Sequence, residues 1–70
     1  MKPGDLQFLS QLIQDRSGLV LSPDRLYLLE SRLMAVARKK GKKGLEDLIA
    51  ALRTGGDEAL ARDVTEAMTT

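Results

Sequence analysis

Seventy residues with a net charge of +1 allow one small domain, too short to bury apolar surface for a wide stability margin. The chain has no Cys and no His, which excludes disulfides and thiolate metal sites and removes the commonest metal ligand and the commonest general base. Its apolar runs fall far short of the roughly 20 residues that span a bilayer, and only Phe8 and Tyr27 are aromatic, too few for a single-stranded nucleic-acid platform.

The N-terminal stretch Met1-Lys2-Pro3-Gly4-Asp5 leads into polar-interrupted sequence, unlike the apolar core of an export signal. Together with the lack of Cys, this sets the cytoplasm as the expected location. Asp5 is a good N-cap, and Phe8, Leu9, Leu12 and Ile13 follow at helical spacing, so a first helix is expected over 5–17. Gly18 suits the left-handed position just beyond its end. Leu19-Val20-Leu21 has no second strand pattern to pair with and reads as an extended connector whose leucines plug the core.

Ser22-Pro23-Asp24 is the clearest local signal, combining a capping oxygen, a proline at the first helical position and an acid at the positive end of the dipole. A second helix is expected over 22–40, with Leu26, Leu29, Leu33, Val36 and Ala37 as its apolar stripe and Gly41 as its stop. After the basic turn Lys42-Lys43-Gly44, the residues Leu45, Leu48, Ile49 and Leu52 predict a third helix over 45–54, ended by Gly55-Gly56. Asp57 caps a fourth over 57–68 with Leu60, Val64 and Met68 inward. The fold class is therefore all-α, a small four-helix bundle-like domain with short connections. The fourth pattern meets Thr70 without a stop signal, as expected of a piece of a longer chain.

Charge is strongly segregated. Residues 25–43 carry seven basic side chains against the single acid Glu30, a net +6, whereas residues 44–70 carry two against six, a net −4. Such asymmetry bears on partners and not on fold. At about 100° per residue, Arg25, Arg32 and Lys39 form a ridge beside the apolar stripe, with Leu28 and Ala35 on its outward side. Arg38 falls on the other flank, near Ser31 and Tyr27. None of Arg25, Arg32 or Arg38 has a carboxylate three or four residues away, so the usual neutralisation within a helix is missing. Two readings stand. The ridge and the Lys42-Lys43 turn grip an acidic partner, or the cations form a solvated face or pair with acids of the fourth helix. Candidate partner-binding residues are Arg25, Arg32, Arg38, Lys39, Lys42 and Lys43; no catalytic, cofactor-binding or metal residue is assigned. Phe8, Tyr27 and the methionines are expected in the core or at its rim, and the glycines punctuate helix ends without a phosphate-cradling motif.

The run Gly18-Leu19-Val20-Leu21, followed by Arg25, Leu29, Arg32-Leu33, Arg38 and Gly41, resembles the N-terminal domain of CheR-type chemotaxis methyltransferases. That family reads Gly-(Ile/Leu)-x-Leu, a basic residue, Arg-Leu on the same helix, a further Arg and a closing Gly. Met68-Thr69-Thr70 is similar to the segment before the family's linker, so the resemblance runs from about Phe8 to Thr70. It implies a helical docking domain over 1–70 and, beyond Thr70, a linker and an α/β catalytic domain that binds S-adenosylmethionine. The implied reaction methylates glutamate side chains on the cytoplasmic methylation helices of chemoreceptors. The implied partners are those receptor helices and the chain's own catalytic domain, with no nucleic acid and no direct membrane insertion. The family's basic residues map onto Arg25, Arg32 and Arg38. Ala35 and Val36 stand where many relatives carry further arginines, and Leu48 where they carry an aromatic, while Lys39, Lys40, Lys42 and Lys43 add charge near the helix end. The alternatives are a small nucleic-acid-binding domain presenting its basic helix to phosphates, or a helical protein-interaction module. Against the first, the basic helix has no Asn or Gln to read bases.

Overall fold

The computed structural model describes residues 2–69, so Met1 and Thr70, the latter in the segment compared with the family's linker, lie outside the described residues. Four helices follow one another: α1 (Pro3–Ser17), α2 (Pro23–Lys39), α3 (Leu45–Thr54) and α4 (Glu58–Thr69). Among the described residues there is no strand, and the all-α expectation holds. Helix α4 packs against both α1 and α2, and α3 packs against α2.

The helix ends show which local signals were strong. α1 begins two residues earlier than expected, because Pro3 takes the first helical position that its fixed φ suits, and Lys2 becomes the N-cap. Asp5 is thereby not a cap; it lies in the first turn, where its carboxylate meets Arg53 of α3 at 3.0 Å. Ser22 does sit at the N-cap of α2, yet its hydroxyl makes no capping bond, so the stop–start signal there rests on Pro23. Asp57 behaves as expected, its Oδ1 accepting the Leu60 N–H at 3.0 Å. At the end of α2, Gly41 adopts a φ of 72°. Its N–H donates to the Arg38 carbonyl at 3.2 Å while that of Lys42 donates to Ala37 at 2.8 Å, which is the Schellman pairing.

The apolar stripes converge on one core. Leu9 and Ile13 of α1, Leu29 and Leu33 of α2, Leu48 of α3 and Leu60 and Val64 of α4 are fully or almost fully buried. Each contributes about 1.5–3 kcal/mol relative to exposure. Leu19 and Leu21 pack against this core from the connector while Val20 stays exposed, as its alternation requires. Phe8 is half-buried and Met68 buried. Tyr27 corrects its expectation: it is 83% exposed. Its position is about 100° further round α2 than Leu26, on the far side of the apolar stripe from Val36 and Arg25, so its ring faces outward. The buried Thr65 hydroxyl donates to the Ala61 carbonyl at 2.8 Å, so the core carries no orphaned side-chain polar group among the described residues.

Candidate docking surface

Helix α2 positions the basic residues because its apolar stripe is pinned in the core by Leu29, Leu33, Val36 and Ala37, leaving the remaining arc outside. Among the described residues, no ion pair involves Arg25, Arg32, Arg38, Lys39, Lys42 or Lys43. Pairing with an acid of α4 does occur one position along: Lys40 meets Asp63 at 2.6 Å. That bond and the positive charge beside it hold the Asp63 carboxyl below its ordinary range. Arg16 and Glu58 join α1 to the start of α4 at 2.7 Å, lowering the Glu58 carboxyl and raising the Arg16 guanidinium, chiefly through their mutual hydrogen bond.

Two arginines are engaged in another way, which the sequence did not signal. Arg25 donates through Nη1 to the Met68 carbonyl at 3.1 Å, and Arg32 donates through Nη1 to the Ala67 carbonyl at 3.1 Å. These carbonyls belong to the last turn of α4, where intrahelical partners run out. That turn contains no basic residue of its own, so α2 supplies the cations that suit its negative end. A basic-free last turn was the available hint, although nothing local named the donor.

The six candidates do not form one patch. Arg25, Arg32 and Lys39 run along the α2–α4 seam. One shallow cleft there is lined by Asp24, Arg25, Leu28, Arg32 and Met68. The next along the seam is lined by Arg32, Ala35, Val36, Lys39 and Ala67. Leu28 is 41% exposed and gives the seam an apolar surface. Arg38 is exposed on the flank away from α4, as its phase demands. Lys42 is half-buried at the corner after α2, and Lys43 lies in a separate depression beside Glu46 and Asp47 of α3.

A cleft of about 600 Å³ opens between the start of α1 and one face of α3 and is lined by Lys2, Asp5, Leu45, Glu46, Ile49, Ala50 and Arg53. Arg53 is fastened there, over the Phe8 ring at 4.5 Å and on Asp5. The cleft wall carries two cations, Lys2 and Arg53, and two carboxylates, Asp5 and Glu46, of which Asp5 is bound to Arg53.

A short all-helical domain with an outward-facing basic helix defines the class, and the comparison with known proteins supplies the family. Residues 4–69 match the family model for the all-alpha domain of CheR methyltransferases, and the chain belongs to that family. No curated protein and no solved structure matches the chain. Among the described residues, no helix is long and apolar enough to cross a membrane, and no three His, Cys, Asp or Glu side chains gather as a metal ion would require.

Proposed function

We propose that this chain is the receptor-docking domain of a chemotaxis methyltransferase and is itself non-catalytic. In this reading it holds the carboxylate-rich cytoplasmic methylation helices of chemoreceptors. An α/β domain C-terminal to Thr70 binds S-adenosylmethionine and transfers its methyl group to receptor glutamates. The observation that supports it is the set of basic side chains on α2 and its following turn that have no carboxylate partner among the described residues. Cations outside any ion pair attract an acidic helical surface over roughly a Debye length, about 8–10 Å at ordinary salt, which mainly raises the association rate. Transfer between a sulfonium and a carboxylate is largely a matter of positioning, so concentrating and orienting the target helix is a sufficient contribution.

The test is titration of the domain with a chemoreceptor cytoplasmic fragment and with duplex DNA over a range of salt concentrations. Receptor binding that weakens as salt rises is expected. Binding to DNA alone would overturn the proposal. Joint reversal of Lys39, Lys42 and Lys43 to Glu should slow association with the receptor fragment by about tenfold while dissociation changes less.

A further inference from the structure

The helices pack chiefly in series, α1 on α4, α4 on α2 and α2 on α3. Helix α3 therefore stands at one end of the series. Toward α1 it is fastened by a side chain, Arg53, which meets Asp5 and lies over the Phe8 ring. At about 100° per residue, Ala50 points almost directly away from the buried Leu48 and Leu52. Glu46, one turn earlier, and Arg53, one turn later, share that outward face, and all three residues are exposed. Along the face the charges run negative, neutral, positive. Among the described residues Glu46 makes no ion pair, and Arg53 uses Nη2 on Asp5.

We propose that this face of α3 is a self-association surface whose occupant is the same face of a second copy of this chain, the two α3 helices lying antiparallel about Ala50. This goes beyond the docking reading and does not rest on it. A row that reads negative, neutral, positive meets its complement when it is reversed and set against itself. Glu46 of one copy then faces Arg53 of the other, and two-fold symmetry repeats the pair. A parallel arrangement would set like charges together, so the row selects one orientation. Ala50, at the crossing point, carries only a Cβ and lets the two helix axes approach closely. Leu45 and Ile49, on the cleft wall beside the row, add apolar surface. Arg53 is already oriented by Asp5 and Phe8, and its remaining N–H groups suit a second carboxylate, so it loses less freedom when it pairs. Lys2, on the same cleft, offsets the charge of Asp5. A helix of 10 residues is about 15 Å long, which keeps the contact below the ~1,200 Å² of stable interfaces. The dimer is accordingly weak and exchanging, with a Kd on the order of 0.1–1 mM. The Arg25 and Arg32 seam lies between α2 and α4, outside this contact, so a dimer displays both seams.

Sedimentation equilibrium over about 0.02–2 mM brackets that affinity. The average mass should rise with concentration from 7.7 kDa toward twice that value. Ala50→Lys changes an exposed position, sets two ammonium groups together at the crossing point, and should weaken association by about tenfold or more. Glu46→Arg, which faces Arg53 with a like charge, should weaken it similarly. Glu46→Arg and Arg53→Glu should each stay monomeric alone and associate when mixed, because each supplies the charge that the other lacks. Circular dichroism of every variant checks its helices; should Arg53→Glu lose them, the first two variants decide. A mass fixed at one chain up to the highest concentration would leave the face to a different helix and overturn the second copy as its occupant. Association undiminished in Ala50→Lys or Glu46→Arg would place the contact elsewhere and overturn the proposal. So would a mixture of the two folded charge variants that stays monomeric.

Discussion

Residues with the same expected role at a helix start separate once their bonds are compared. Asp57 uses its carboxylate to hold the Leu60 N–H, whereas the Ser22 hydroxyl makes no capping bond. Asp57→Ala should therefore cost about 1 kcal/mol and Ser22→Ala only a few tenths, measured by urea unfolding at fixed pH. In the core, Leu33→Ala leaves a cavity at a fully buried site and should cost about 2–5 kcal/mol, a large share of what so small a domain can hold. Loss of the cooperative thermal transition is the expected readout. Tyr27 shows why residue type alone misleads: an aromatic side chain suggests the core, whereas helical phase places it outside. The phase was legible from the same leucines that defined the stripe. The arginine bonds to Ala67 and Met68 were not legible, because they join side chains to backbone groups 35 and 43 residues away and no local pattern encodes that distance.

Helices were more readable than their caps. The third helix has the expected span, the second differs only by its flanking cap residues, and the fourth starts just after its cap Asp57 and runs one residue further, to Thr69; Gly41, Gly55 and Asp57 punctuate the chain through backbone chemistry that acts locally. The first helix starts ahead of the capping signal at Asp5 because Pro3 takes the first helical position, as Pro23 does in the second. Gly41→Ala should cost about 1 kcal/mol, as its left-handed φ of 72° strains any residue with a Cβ, although a Cβ there would meet no neighbour. The end of α4 depends on another helix for its cations. Arg25→Ala or Arg32→Ala should destabilise by about 0.5–1 kcal/mol and accelerate exchange in the last turn of α4 before it affects the rest of the domain. Site residues on α2 were legible as a ridge; their division between the seam, the Arg38 flank and the Lys43 depression was not, because it depends on where α3 and α4 lie.

At the scale of the whole molecule, ion pairs among the described residues fasten α1 to α3, α1 to α4, and the end of α2 to α4. Two of them set a dependence on pH. The carboxyls of Asp63 and Glu58 are held lower in the folded chain by Lys40 and Arg16 respectively. Their contribution is fully present above the unfolded carboxylate pKa, about 4, and is lost as pH falls through the lower folded values. Lys40→Ala should flatten the acid limb of the stability profile below about pH 4. Denaturant midpoints collected across that limb check the sign. The exposed tyrosine has a separate consequence for optical work. The chain has one Tyr and no Trp, so its intrinsic emission comes from a ring that is already in water before unfolding. Melting should barely alter that emission, while a protein seated on the outward face of α2 would quench or shift it, giving a label-free reporter of complex formation that is nearly blind to denaturation.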